Sequence, residues 1–136
     1  MKSTFVDANV FLRYLTNDDP EKADRVEALL SRAARGEVRL ITTELVLAEV
    51  VWVLESSYEM NNHEIAPMIK AILDTPGIEV INGGIVEKAL DFYRSHNVDF
   101  VDGYIAAIME KRKIKDIYSF DRKHLGRIKV ITRKEP

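Results

Sequence analysis

The chain holds 22 aspartates and glutamates, so a group of four is not unusual in itself. Four of them differ from the rest in where they lie along the sequence. Asp7 directly follows a short apolar segment at residues 2–6, and Asp121 directly follows another at residues 117–120. Ligands gather where the strands of an open parallel sheet end. If both segments are such strands, the two carboxylates therefore lie at the same edge of a sheet.

Glu49, the third member of the set, lies in the middle of an apolar helical segment at residues 45–54. A carboxylate on an apolar helix face is costly to bury unless something compensates its charge. We therefore interpret Glu49 as a metal ligand, with a buried salt bridge or a rim position as the alternatives. Its helical neighbours three and four positions away are Leu45, Val46, Trp52 and Val53.

Asp102, the fourth member, lies at the start of another apolar helical segment, three residues after Asp99. Both could simply serve the helix N-terminus, Asp99 as the cap and Asp102 in the first turn. Asp102 also shares a helix face with Ile105, Ala106 and Met109, which should point inward. That placement favours a role beyond the helix terminus for Asp102.

A cluster of these carboxylates would need a cation. Two carboxylates about 4 Å apart repel by roughly 4 kcal/mol at an effective dielectric constant of about 20. The chain has no cysteine, which excludes disulfides, thiolate sites and cysteine nucleophiles, so the metal site would offer oxygen ligands. Such ligands suit Mg²⁺ or Mn²⁺, which can activate a water molecule and stabilise the oxyanions of a phosphodiester displacement.

Short apolar strands alternate with helices along the chain, which favours an α/β fold with a mostly parallel sheet covered on both faces. The 136 residues suit a single domain, and the first strand should be buried. Helix starts are predicted at Asp19-Pro20, Thr42-Thr43, Asn61-Asn62, Gly83-Gly84 and Asp99. Strands are predicted at residues 2–6, 38–41, 78–81, 117–120 and 129–131.

Charge is distributed unevenly along the chain. The net charge is −2, but residues 109–136 carry 10 lysines and arginines against 4 acidic residues. This asymmetry is typical of a basic strip that contacts phosphates, although charged C-terminal segments are also common on solvated surfaces. No segment resembles a signal peptide or a membrane span, so we expect a cytoplasmic protein with no membrane association.

The motifs around the four acids resemble those of the PIN-domain family. They occur in the family's order and spacing over nearly the whole chain. Gly103 departs from the alanine that often follows the third acid, and as a helix residue it should cost stability without affecting chemistry. The motifs are Asp7-Ala8-Asn9-Val10, Glu44-Leu45-Val46-Leu47-Ala48-Glu49-Val50, Asp102-Gly103-Tyr104-Ile105-Ala106-Ala107 and Ser119-Phe120-Asp121-Arg122.

The resemblance implies a three-layer α/β/α sandwich with a five-stranded sheet and metal-dependent cleavage of RNA. The metal ligands would be Asp7, Glu49, Asp102 and Asp121, directly or through water, and Asp99 matches a less constant acidic position. For short members of the family, it also implies the toxin role in VapBC toxin–antitoxin pairs, with an antitoxin protein as partner. A homodimer is expected as well, with an interface around Trp52 and Val53 and the following helix at Ile65 and Ile69.

Two polar residues beside the acids have both a functional and an ordinary interpretation. By the resemblance, Asn9 and Ser119 orient the carboxylates. Asn9 could instead make a local hydrogen bond in the strand-to-helix turn, and Ser119 could be an ordinary strand hydroxyl.

Basic residues near the C-terminus are candidate RNA contacts. The main candidates are Arg112, Lys113, Arg122 and Lys123, with Lys115 and Arg127 in addition. The three histidines, His63, His96 and His124, show no metal-ligand spacing. We expect them at the surface, although His124 could face the site and touch phosphate.

Other function classes fit the sequence less well. A phosphatase with an aspartyl-phosphate intermediate needs two aspartates separated by one residue, but the second position here is Asn9, which cannot protonate a leaving group. A non-catalytic nucleic-acid-binding module would have lost one or more of the four acids, and all are present. A housekeeping RNA-processing nuclease remains an alternative to the toxin.

Overall fold

The structure, a computed structural model, describes residues 2–136. The described chain forms two compact units that divide after Gly83. The first unit contains strands β1 (Ser3–Phe5), β2 (Arg39–Thr43) and β3 (Ile78–Ile81) and helices α1 (Ala8–Thr16), α2 (Pro20–Ala34), α3 (Glu44–Ser56) and α4 (Asn62–Leu73). None of the helices in the described part of the chain combines the length and the apolarity that a bilayer crossing requires.

Local sequence signals account for the starts of several helices. The Asp19 side chain caps α2 by accepting a hydrogen bond from the Lys22 amide, and Pro20 is the first helical residue. Asn61 and Glu64 form a reciprocal capping box at the start of α4. These helix starts are confirmed because their stabilising contacts lie within one turn of chain.

The sheet of the first unit is parallel, with β2 between β1 and β3. The Val6 amide donates to the Ile41 carbonyl at 2.9 Å, and the buried Thr42 hydroxyl donates to the Val6 carbonyl at 2.9 Å. These bonds fix the chain just beyond β1 against β2. Asp7 therefore leaves the sheet at its carboxyl edge, the edge from which α3 also starts.

The expectation of a buried first strand is wrong. All three residues of β1 are exposed, with the Phe5 residue 54% accessible. The reason is topological, since β1 is an edge strand of the three-stranded sheet rather than a central one. Burial begins only at Val6, where the chain turns towards α1.

The second unit contains two long helices and a small sheet. Its elements are α5 (Gly83–Ser95, beginning at the boundary), α6 (Phe100–Arg112), β4 (Asp116–Tyr118), a 3₁₀ turn (Leu125–Arg127) and β5 (Thr132–Lys134). The two strands are parallel, with Ile117 opposite Arg133.

The α/β class and the parallel pairing of strands are confirmed, and the five strands are distributed over a sheet of three and a sheet of two. The strand predicted at residues 129–131 is wrong, because β5 begins at Thr132. The Thr132 amide donates to the Lys115 carbonyl, and the Ser119 amide donates to the Lys134 carbonyl. These backbone bonds to the β4 segment, rather than the apolar run before Thr132, decide where the strand lies.

Candidate active site

Three side chains of the second unit form a cluster that could hold a cation. Asp99, Asp102 and His124 each offer one ligand atom, and these atoms lie within 4.8 Å of one another. Asp99 occupies the N-cap position of α6 and Asp102 its first turn, so one helical turn brings both carboxylates to the same end of the helix.

Close helix packing within the second unit depends on Gly103. A Cβ atom at this position would lie 2.8 Å from the backbone oxygen of Ala89 on α5, closer than real Cβ contacts come. The view that Gly103 only costs helix stability is therefore wrong. Gly103 allows α6 to approach α5 closely at the turn that carries Asp102.

Asp121 lies in the loop after β4, where backbone amides hold its carboxylate. Its Oδ1 accepts hydrogen bonds from the amides of Lys123 at 2.8 Å and His124 at 3.3 Å. Its own amide donates to the Ser119 hydroxyl oxygen at 3.0 Å. Ser119 thus contacts the backbone of the loop that presents Asp121.

The carboxyl groups of Asp102 and Asp121 have opposite tendencies to ionise. Burial, followed by the negative charges of Asp121 and Asp99, raises the pKa of Asp102 above its usual range. The Lys123 amide, the strongest of several hydrogen-bond donors, lowers the pKa of Asp121. Asp102 is therefore the more readily protonated of the two carboxyls, and Asp121 the more readily ionised.

Asp99 does not cap α6, which corrects one of its predicted roles. It occupies the N-cap position, but its side chain makes no capping hydrogen bond. Its Oδ2 instead lies 3.5 Å from His124 Nε2. The long-range contact with His124 thus replaces the local one that the sequence suggests.

His124 is the residue of this cluster that sequence reasoning placed elsewhere. Its side chain is 19% exposed, whereas a surface position was expected. The Asp121-x-x-His124 spacing was a signal that could have placed His124 near the acids. An aspartate often accepts hydrogen bonds from the backbone amides two and three residues later, which folds the intervening chain back towards its carboxylate.

Asp7 lies in the first unit, where it caps α1. Its Oδ1 accepts a hydrogen bond from the Asn9 amide at 3.1 Å, so Asn9 contacts Asp7 through its backbone. The side chain of Asn9 is exposed. Because this bond uses only the backbone of Asn9, the role of the Asn9 side chain stays a prediction.

Glu49 lies on α3 of the first unit and is exposed, so the argument from a costly buried carboxylate is wrong. Its neighbours on the same helix face, Leu45 and Trp52, are 76% and 65% exposed. An apolar sequence does not place a helix face in the core by itself. Here the buried face of α3 is the one with Leu47, Val50, Val51 and Leu54.

The predicted RNA contacts all lie in the second unit and are exposed, but one of them, Arg122, already pairs with a carboxylate of the chain. Arg122 binds the Glu135 carboxylate through Nη2 at 2.8 Å and Nε at 3.1 Å. Lys123 is exposed at the loop whose amides hold Asp121. Arg112 ends α6 and Lys113 is its C-cap residue.

Comparison with known proteins identifies similar chains. A family model described as the PIN domain matches residues 4–130, a range that includes all four acids. A VapC ribonuclease of Aquifex aeolicus (strain VF5) is 25% identical over 118 residues, which are 87% of this chain and 87% of the relative. The crystal structure of VapC20 of Mycobacterium tuberculosis, described as a Sarcin-Ricin loop cleaving toxin, aligns with a TM-score of 0.41 and 20% identity, covering 99% of this chain and 100% of that one.

Proposed function

The chain belongs to the PIN-domain family, and on that basis we propose that it is a metal-dependent endoribonuclease acting as the toxin of a toxin–antitoxin pair. The observation that carries the proposal is the crowding of acidic groups at one end of α6, where Asp99 and Asp102 meet the loop of Asp121. The similar chain named VapC ribonuclease, aligned over most of both proteins, supports the toxin assignment.

The donor set fits a hard divalent cation. Burial and the charges of Asp121 and Asp99 raise the pKa of Asp102. A cation bound here would therefore relieve the repulsion among these three carboxylates. Carboxylate oxygens are the ligands that Mg²⁺ and Mn²⁺ prefer. We propose Asp7, Glu49, Asp102 and Asp121 as the ligands, with Asp99 as a further one. A bound Mg²⁺ or Mn²⁺ would supply Lewis acidity for the attack of water on the phosphodiester.

The chain's own groups prepare this chemistry. The amides of Lys123 and His124 hold the Asp121 carboxylate in one orientation and keep it ionised. Burial and the neighbouring acids disfavour the ionised form of Asp102, and a bound cation would favour it. Asp7 is fixed by the Asn9 amide at the start of α1. These contacts orient carboxylates before substrate arrives, which lowers the cost of assembling the site.

We propose that Lys123 is the main phosphate contact of the basic residues, because Glu135 already pairs with Arg122. The Lys123→Ala variant should bind single-stranded RNA more weakly, and its salt dependence should fall by about 0.7 in the slope of log K against log salt. Arg122→Ala should change the slope less, since its charge is partly neutralised. Binding measured in EDTA over a range of salt, with Lys22→Ala as the control, would show this. An unchanged slope in Lys123→Ala would assign Lys123 to the solvated surface.

For assembly, we propose a homodimer that buries Leu45 and Trp52 of α3 and leaves Glu49, their neighbour on this helix, at the edge of the interface. Ile65 and Ile69, which were also expected at the interface, are fully buried within the chain, so they do not contribute. Large exposed apolar side chains close together mark interaction surfaces. The Trp52→Glu variant should be monomeric by light scattering at concentrations where the wild type is dimeric, with unchanged far-ultraviolet circular dichroism. A dimer that survives this change would rule out the α3 face.

The partner protein would be an antitoxin, and the cytoplasmic location stays a prediction.

The function itself is tested by incubating the purified protein with a labelled RNA in Mg²⁺ or Mn²⁺. Internal cuts are expected, and their absence under every metal condition would count against the proposed activity.

A further inference from the structure

We propose that His124 is a positioning residue that turns the Asp99 carboxylate away from the helix cap and towards the metal site. This inference rests on the proposed function, because it concerns how one of the proposed ligands is oriented. It needs only contacts within the second unit, where Asp99, Asp102 and His124 cluster.

Both ring nitrogens of His124 face Asp99. Nδ1 accepts a hydrogen bond from the Asp99 backbone amide at 3.3 Å. Nε2 lies 3.5 Å from Asp99 Oδ2. The imidazole ring therefore lies alongside a single residue and contacts both its backbone and its side chain.

The contact with the backbone determines where the ring proton lies. A backbone amide can only donate, so Nδ1 must offer a lone pair, and the neutral ring then carries its proton on Nε2. Nε2 is the ring nitrogen that lies 3.5 Å from the Asp99 carboxylate. With Nδ1 engaged by the amide and Nε2 protonated, the ring orients a carboxylate and is not itself a metal ligand.

Without His124, Asp99 would have a competing local partner. An aspartate at the N-cap ordinarily accepts a hydrogen bond from the second or third helical amide, here that of Val101 or Asp102. In this structure Asp99 makes no such bond. The His124 contact thus selects the orientation in which the Asp99 oxygen lies within 4.8 Å of the Asp102 oxygen.

His124 also connects Asp99 with a second acid. Its backbone amide donates to Asp121 Oδ1 at 3.3 Å while its ring contacts Asp99. One residue therefore fixes the spacing between the loop after β4 and the start of α6. Hydrogen bonds that orient metal ligands in this way typically change metal affinity by 10- to 100-fold.

The position of the ring proton can be measured without metal or substrate. Two-bond ¹H–¹⁵N correlation spectra of the wild type should show His124 protonated at Nε2 and unprotonated at Nδ1, with the signals assigned by their loss in His124→Gln. The same tautomer should remain after addition of Mg²⁺. A ring protonated at Nδ1, or an Nε2 proton lost on Mg²⁺ binding, would overturn the proposal, the latter because it would make His124 a ligand.

Metal affinity tests the coupling to Asp99. In calorimetric titrations, His124→Leu should bind Mn²⁺ about tenfold more weakly than the wild type. His124→Gln should lose less, because its amide can still donate to Asp99. In an Asp99→Asn background, His124→Leu should cause no further loss, since a residue acting through Asp99 has nothing left to position.

The matched control is His96→Leu, an exposed histidine of the same unit. Melting temperatures of the metal-free variants identify any that are unfolded. Equal Mn²⁺ affinity in the wild type and His124→Leu, or an equal loss with and without Asp99, would overturn the positioning role while leaving the nuclease proposal standing. A wild type that binds no Mn²⁺ would overturn the proposed function and this inference with it.

Discussion

Replacing Asp102 with asparagine is expected to lower RNA cleavage by at least about 100-fold, while the metal-free protein becomes at least as stable as the wild type at pH 7. Asparagine keeps the shape of the side chain but removes the charge that a cation would neutralise. Mn²⁺ should correspondingly raise the melting temperature of the variant less than that of the wild type.

The gain in stability follows from the ionisation of Asp102. Burial and the charges of Asp121 and Asp99 raise its pKa above the ordinary value of 3.8. The stability contributed by this raised pKa is therefore complete below pH 3.8 and is lost as the pH rises through the raised value. At pH 7 the ionised carboxylate opposes folding, and asparagine removes this opposition. The difference in melting temperature between variant and wild type should accordingly narrow as the pH falls from 7 towards 4.

Asp116→Asn is the matched control for this experiment. Asp116 lies in the same unit and pairs with Lys134 at the surface, so its loss should leave cleavage unchanged and alter stability little. If Asp102→Asn is less stable than the wild type at pH 7 and cleaves RNA normally, Asp102 is a structural residue.

The second large effect is expected for Glu49→Gln, which should also reduce RNA cleavage by at least about 100-fold. Its effect on the metal-free protein should be small, within about 0.5 kcal/mol, because the side chain is exposed. Cleavage rates and chemical denaturation of the same preparations would separate the two effects.

Glu55→Gln is the control on the same helix, since Glu55 is an exposed glutamate of α3 outside the motif. It should cleave RNA as the wild type does. Normal cleavage by Glu49→Gln would remove Glu49 from the proposed ligand set. A large loss of stability would show a structural contact instead.

The helix starts that could be predicted from the sequence are those governed by contacts within one turn. Asp19-Pro20 and the Asn61 capping box contain their own hydrogen-bond partners, and β3 lies at the predicted residues 78–81 because Pro76-Gly77 bounds it. The start of α6 was predictable in the same way, because Asp99 occupies its N-cap position and Asp102 its first turn.

The features that could not be predicted depend on distant partners. Pairing with the β4 segment sets the start of β5, and the edge position of β1 leaves Phe5 exposed. His124 contacts a residue 25 positions earlier in the chain, so no local pattern links it to Asp99. Glu49 shows the same limit, because apolar neighbours in a helix do not reveal which face the rest of the chain covers.

One measurement tests most directly whether RNA cleavage by this chain depends on a metal ion bound by its carboxylates. The purified wild type is incubated with labelled RNA in Mn²⁺, then with excess EDTA, and then with Mn²⁺ restored, with Asp102→Asn in parallel to detect a contaminating nuclease. We predict cleavage with Mn²⁺, none in EDTA, recovery when the metal returns and little cleavage by the variant throughout. Cleavage that continues at the full rate in EDTA, or that Asp102→Asn matches, would contradict the account.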